Sequence, residues 1–226
     1  VKTIVTTETI KTIAERNGVE MYDVYTGFKW IANVMRENEG KKNYIGGGEE
    51  SYGFLCEDFV RDKDAVSACV ILAEIAAWAK DQGLSLYQLL QKIYVEYGFS
   101  KEKGISVVKK GKSGAEEIEA MMKKFRENPL TEIAGSKVTY FYDYSTLKGK
   151  DYAENETVTL DMPTTSNVLQ YFTEDNTKVS IRPSGTEPKI KFYCEVHSKV
   201  NSVEELDAAD KAATEKIEAI KASLGI

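Results

Sequence analysis

The segment Arg182-Pro183-Ser184-Gly185-Thr186-Glu187-Pro188-Lys189 lies between two runs that alternate apolar and polar residues, and its composition suits a phosphate group. Arg182 offers a planar fork of charged donors, and Ser184 and Thr186 add hydroxyls. Gly185 has no Cβ to keep a ligand oxygen from the backbone N–H groups, while Pro183 and Pro188 stiffen the two shoulders. An ordinary polar hairpin loop is the competing reading. A second segment, Gly46-Gly47-Gly48-Glu49-Glu50-Ser51-Tyr52-Gly53, joins three glycines to two carboxylates and a hydroxyl. Carboxylates accept paired hydrogen bonds from vicinal hydroxyls such as those of a sugar ring, and they repel a phosphate. Here the competing reading is a glycine-rich turn whose acids cap the next element.

Both segments need elements to hold them. Thr3–Thr6 reads as a strand and a helix follows from Glu8, with Ile10, Ile13 and Ala14 on one face and Gly18 as its stop. Val19–Tyr25 reads as a second strand, Phe28–Arg36 as a helix and Tyr44–Gly47 as a third strand. In a helix over Asp64–Asp81, one stripe carries Val66, Cys69, Val70, Ala73 and Ala77, and Leu72, Ile75 and Trp78 cover another side. It is therefore expected to be buried over most of its circumference. Ser85 with Gln88 forms a capping box that opens a further helix to about Tyr97.

Past Asn128-Pro129 the pattern changes. Val138–Tyr144, Val168–Phe172, Val179–Ile181 and Ile190–Val196 read as strands, and a capping box Ser202…Glu205 opens a final helix striped by Leu206, Ala209, Ala213, Ile217 and Ile220. The expected fold is α/β: a mixed-sheet α/β domain over residues 1–128, then a smaller α+β domain over 129–226 with an antiparallel sheet and a C-terminal helix. The connection near Asn128–Leu130 is expected to act as a hinge.

The chain of 226 residues carries a formal charge of −6 and has no basic block, which argues against nucleic acid as a partner. Cys56, Cys69 and Cys194 are widely spaced and His197 is the single histidine, so no Cys/His metal site is expected and the thiols read as reduced and buried. No apolar run has membrane-spanning length, so no membrane partner and a cytoplasmic location are expected. The chain opens on Val1 rather than methionine and runs directly into a strand, which points to a piece of a longer polypeptide.

A GEES-type loop in an α/β domain, followed about 130 residues later by RPSGTEPK in an α+β domain, resembles the α-D-phosphohexomutases, the phosphoglucomutases and phosphomannomutases. Arg61-Asp62-Lys63-Asp64 and Thr26-Gly27-Phe28-Lys29 also match that family's pattern. The wording GEESYG and RPSGTEPKIKFY is similar to the branch of bacterial phosphoglucomutases and phosphopentomutase-like enzymes. The resemblance covers the whole chain but only the third and fourth of the family's four domains, the fourth being TBP-like. No Thr-Ala-Ser-His-Asn-Pro-like segment, which carries the family's phosphoserine, and no Asp-x-Asp-x-Asp-Arg loop, which holds its Mg²⁺, occurs here.

What the resemblance implies is reversible transfer of a phosphoryl group between positions 1 and 6 of a hexose phosphate. Phosphoserine donates to the free hydroxyl, and the resulting hexose 1,6-bisphosphate, also the activator, turns around and returns its other phosphate. Arg182, Ser184, Gly185 and Thr186 match the anchor for the non-reacting phosphate. Glu49 and Ser51 match residues that contact ring hydroxyls, with Glu50 supporting the loop. Thr26 and Gly27 match backbone contacts to substrate, and Lys63 matches the lysine near the transferring phosphoryl group, where a cation stabilises developing charge; a salt bridge with Asp62 or Asp64 is its alternative. Lys189 reads as solvated, Lys29 as helix surface, His197 as structural, and Tyr140, Tyr142 and Tyr144 as a packing face. The implied partners are a small sugar phosphate and the N-terminal domains of the same polypeptide, with Mg²⁺ held by the latter and no metal ligand in this chain. On this reading the chain alone has no turnover. A phosphopentomutase-type half and a non-catalytic phosphosugar-binding module are the alternatives.

Overall fold

The computed structural model describes residues 1–109, 111–185 and 187–226, and they form two compact units. The first holds Val1–Gly98 with Asn201–Val203, and the second Phe99–Val200 with Glu204–Ile226.

The first unit runs β1 (Lys2–Thr3), α1 (Glu8–Arg16), β2 (Asp23–Val24), α2 (Phe28–Asn38), β3 (Gly46–Gly48), β4 (Phe54–Cys56), α3 (Ala65–Asp81) and α4 (Leu86–Tyr97). Its sheet has the order β2-β1-β3-β4, with β2 and β3 parallel to β1 and β4 antiparallel to β3. Local chemistry starts each helix. Thr7 caps α1 through its side chain, both carboxylate oxygens of Asp64 accept from the first amides of α3, and Ser85 and Gln88 form the capping box of α4. Val24, Phe28, Ile31, Met35 and Leu55 make the core between α2 and the sheet. The central strand also buries Lys2, whose Nζ lies 2.7 Å from Asp23 Oδ1 and 3.0 Å from Glu8 Oε1.

The second unit begins with β5 (Phe99–Val108) and α5 (Gly111–Glu127). It continues through β6 (Glu132–Ile133), β7 (Ser136–Asp143), β8 (Lys148–Asp151), β9 (Glu156–Thr159), β10 (Leu169–Thr173), β11 (Lys178–Pro183) and β12 (Lys189–Ser198). A short 3₁₀ turn (Val203–Glu205) precedes α6 (Leu206–Leu224). The antiparallel sheet has the order β5-β12-β11-β10-β7-β8-β9, with β6 beside β7. Ile190, Phe192, Cys194 and Val196 alternate inward along β12, and Phe125 of α5 meets Phe192 edge-on at 6.3 Å. α6 closes the core with Leu206, Ala213, Ile217 and Ile220. Tyr140, Tyr142 and Tyr144 pack as a tier along β7, their rings 6.0 and 6.5 Å apart, as the alternation predicts.

Several expectations change. The boundary between the units falls at Gly98/Phe99, and Asn128–Pro129 lies inside the second unit. β5 pairs with β12 over ten residues, from Lys189↔Val108 to Ser198↔Phe99, and carries α5 with it. The second unit is thus the larger one, and Asn128–Leu130 joins two of its own elements rather than linking units. The final helix starts from a 3₁₀ turn and has no side-chain cap, so Ser202…Glu205 forms no capping box. α3 is not enclosed: Val66 is 74% and Trp78 54% exposed, and Cys69 is exposed as well, unlike Cys194. Among the described residues, no helix is long and apolar enough to cross a membrane.

Candidate functional site

In the first unit the candidate residues gather at the carboxyl ends of the parallel strands, where open α/β sheets place their ligands. β2 ends at Val24 and leads through Thr26 and Gly27 into α2. β3 ends at Gly48 and leads into the turn 49–53, which closes when Glu49 N–H donates to the Gly53 carbonyl at 2.7 Å. The glycines are steric requirements here. A Cβ on Gly47 would lie 2.5 Å from Tyr44 Oη and 3.0 Å from both Ile31 Cγ2 and the Val1 carbonyl oxygen, and one on Gly53 would press on Glu49.

The two carboxylates of the turn do different work. Glu49 Oε1 accepts from the Gly27 amide at 2.6 Å, at the N-terminus of α2, where the helix dipole favours a negative charge. That bond fixes the half-buried Glu49, whose Oε2 lies against Gly53 of the same turn. Glu50 turns back: its Oε2 accepts from Thr3 Oγ1 at 3.2 Å, and its Oε1 accepts from Ser51 Oγ at 3.3 Å. Glu50 therefore ties the turn to β1, the supporting role its position implies. Ser51 is exposed at the tip, beside Tyr52, which adopts a left-handed φ of 64°.

Lys63 joins this group. Its ammonium lies 5.9 Å from the centroid of the Phe28 ring, the first residue of α2, and 3.0 Å from Asp62 Oδ1. The hydrogen bond from the Lys63 side chain, then that from its backbone N–H, holds the Asp62 carboxyl below the usual carboxylate range. Lys63 thus makes the salt bridge with Asp62 that was its alternative, and it stands over the helix start to which Glu49 is bonded. Thr26, Gly27, Glu49 and Lys63 come together, with Ser51 at the tip of the same turn. Lys29 lies on the outer face of α2 with its ammonium over Trp30.

In the second unit the hairpin between β11 and β12 carries the other segment. Arg182 and Pro183 remain in the ladder, paired with Lys191 and Ile190, and Ser184 N–H donates to the Lys189 carbonyl at 2.8 Å to close the loop. Ser184 Oγ accepts from the Glu187 amide at 3.3 Å, so its hydroxyl hydrogen remains directed by its surroundings or by a ligand. Gly185 is exposed, its φ is not left-handed, and a Cβ there would meet nothing within 4 Å. Neither backbone strain nor packing calls for a glycine, which leaves room for a ligand as the role it fits. Arg182 is half-buried, and among the described residues its guanidinium has no hydrogen-bond or ion-pair partner. Thr186 lies outside the described residues. Lys189 is not freely solvated, since it pairs with Glu187. β5 adds a stitch that sequence alone did not bring to this loop: Lys109 N–H donates to the Pro188 carbonyl at 2.9 Å. His197 lies within β12, opposite Ser100.

Two domain families match this arrangement. The model described as phosphoglucomutase/phosphomannomutase, alpha/beta/alpha domain III, covers residues 1–97, and that for the phosphoglucomutase/phosphomannomutase C-terminal domain covers residues 106–212. The chain belongs to the phosphoglucomutase/phosphomannomutase family and carries its third and C-terminal domains. Phosphoglucomutase of Staphylococcus haemolyticus (strain JCSC1435) is 37% identical over 193 residues, and that of Staphylococcus aureus (strain bovine RF122 / ET3-1) is 40% identical over 193 residues. Each alignment covers 85% of this chain but 35% of the relative, so the chain spans about a third of the length of these curated proteins. The fold is shared with the open form of pp63/parafusin, a phosphoglucomutase and exocytosis-sensitive phosphoprotein from Paramecium. The TM-score is 0.59 at 18% identity, over 96% of this chain and 37% of that one.

Proposed function

We propose that the chain is the sugar- and phosphate-binding part of a phosphoglucomutase/phosphomannomutase that interconverts hexose 1-phosphate and hexose 6-phosphate through a phosphoserine and a bisphosphate intermediate. The observation that carries this reading is Arg182, a half-buried guanidinium that among the described residues has no partner, beside the open backbone of Gly185. A cation desolvated without a counter-charge is costly, and a phosphate dianion would offset that cost with charge-assisted hydrogen bonds. Ser184 and Thr186 add hydroxyls to the same loop. The first unit's turn supplies what a sugar ring needs: the Glu49 carboxylate to accept from hydroxyls, Ser51 at the tip, and the backbone of Thr26 and Gly27 alongside. Holding the non-reacting phosphate in one place contributes binding energy that orients the reacting end, and the family resemblance gives Lys63 the role of the cation that stabilises charge there.

Mg²⁺ and the phosphoserine belong to other parts of the polypeptide in this reading. Among the described residues no group of three or more His, Cys, Asp or Glu side chains is placed to hold a metal ion. The chain alone is expected to have no mutase turnover. The test is a two-dimensional NMR titration of the 226-residue chain with glucose 1-phosphate beside Arg182→Ala. Saturable shifts at Gly185 that vanish in the variant support the anchor, and shifts at Glu49 and Ser51 support the sugar turn. Shifts that persist unchanged in Arg182→Ala would remove the phosphate anchor from the reading.

A further inference from the structure

α2 carries two cations that the candidate site does not use. Lys29 and Arg36 stand seven positions apart, which puts them on one face of the helix and about 10 Å apart along its axis. Both are exposed, and among the described residues neither has an ion-pair partner. Between them, Asn33 Oδ1 accepts from Arg36 Nη2 at 2.8 Å while Asn33 Nδ2 donates to Glu37 Oε1 at 2.7 Å. These bonds hold the guanidinium and leave the rest of its fork open. Facing them is the loop between β4 and α3. The groove between helix and loop has a volume of about 550 Å³, and Glu39, Arg61 and Asp62 complete its polar lining. Both carboxylates are already paired, Glu39 with Arg61 and Asp62 with Lys63, each at 3.0 Å. Lys29 and Arg36 are the charges left over, a local positive excess in a chain of formal charge −6.

We propose that this groove is a second anion site, for a small ligand with a phosphate group at each end. Charge complementarity sets the sign of the ligand. The spacing of Lys29 and Arg36 sets its form. A single phosphate meets one cation and a diphosphate is too short to reach both, whereas a sugar bisphosphate spans them and gains from holding both ends. The groove is also tied to Lys63. A phosphate beside Arg61 competes with Glu39 for the guanidinium, and it repels Asp62, the carboxylate that holds the Lys63 ammonium. Occupancy therefore resets the Lys63 side chain, a regulatory link that rests on the function proposed above.

The test follows the amide shifts of Ala32, Asn33 and Lys63 by NMR in the 226-residue Arg182→Ala chain, where the hairpin's own phosphate response is removed. Glucose 1,6-bisphosphate and fructose 1,6-bisphosphate are the probes, beside inorganic phosphate and pyrophosphate. Both bisphosphates are expected to give saturable shifts at Ala32 and Asn33, about 10-fold more tightly than the other two anions, with Lys63 moving at the same midpoint. The tighter of the two names the sugar that carries the phosphates. Adding Lys29→Ala and Arg36→Ala should weaken the response at all three positions about 10-fold. The melting temperature should not change, because both side chains are exposed. Four anions of equal affinity would reduce the groove to general charge attraction and overturn the proposal, as would shifts that survive the double substitution. A Lys63 resonance that stays still while Ala32 moves would overturn the regulatory link. Failure of the hairpin anchor shows at Gly185 and failure of this site at Ala32 and Asn33, so the two are seen separately.

Discussion

Arg182 and Gly185 make different demands on the fold, and that difference can be measured. Removing the guanidinium in Arg182→Ala should weaken glucose 1-phosphate binding by roughly 10- to 100-fold, the range for one charge-assisted pair. Arg182→Lys should recover part of it, because an ammonium keeps the charge but lacks the fork. Gly185 has open space around its missing Cβ and an ordinary φ. Gly185→Ala should therefore leave stability within about 0.5 kcal/mol, while calorimetric titration shows weaker phosphosugar binding. A marked loss of stability with unchanged binding would make this glycine a servant of the hairpin instead. In the first unit, Glu49 shows how a residue type legible in sequence can hide its partner. Its carboxylate was expected to face hydroxyls, but one oxygen is committed to Gly27, 22 positions away.

At the scale of elements, the carboxyl end of β3 and the β11–β12 ladder carry the two loops. Gly47→Ala would drive a methyl group into Tyr44, Ile31 and the Val1 backbone, which we expect to cost about 1–3 kcal/mol. Urea denaturation should show the midpoint moving down with the slope unchanged. In the second unit, Lys178 and Glu195 face each other across β11 and β12 at 2.9 Å, with side chains 3% and 4% exposed, and Ser100 Oγ of β5 donates to Glu195 Oε1. Glu195→Ala removes the carboxylate 2.9 Å from a buried ammonium and should destabilise by roughly 3–5 kcal/mol. Lys178→Met combined with Glu195→Leu should recover most of that loss. If the single variant were as stable as the parent, the pair would not hold the ladder.

For the whole molecule, buried ionisable groups set an alkaline limit. Burial alone would lower the Lys2 pKa, but the Asp23 and Glu8 carboxylates outweigh it and hold the ammonium above the ordinary lysine value. Its contribution is complete below the unfolded lysine range and is lost as pH rises through the folded value. Burial pushes the Cys194 thiol up to about 12 from an ordinary 9.0. Between those values the unfolded chain has released a proton that the folded chain retains, so stability again falls as pH rises. The melting temperature should hold from neutrality to about pH 9 and decline above it. Cys194→Ala should decline less steeply in calorimetry over the same range. A melting temperature that climbs above pH 9 would contradict both assignments.

How much was legible without coordinates depends on how far apart the interacting residues stand. Thr7, Asp64, Ser85 and Gln88 act over two or three positions, so the starts of α1, α3 and α4 could be read from residue type and spacing. The two loops were legible for the same reason, since their chemistry is contiguous. β5 was not. Its stretch Ser100-Lys101-Glu102-Lys103-Gly104 is polar and broken by glycine, and it becomes a strand because β12, some 90 residues later, offers it a ladder. With β5 went the unit boundary, the membership of α5 and the stitch from Lys109 to Pro188. Apolar periodicity likewise showed that α3 has a surface to bury but not what covers it. The sequence by itself determined the starts of α1, α3 and α4 and the functional groups that the two loops carry, because local hydrogen bonds and residue types decide them. Only the tertiary structure decided which unit each element joins, that Glu49 and Lys63 meet at the start of α2, and that α3 remains open, because those outcomes rest on pairings between residues distant in the chain.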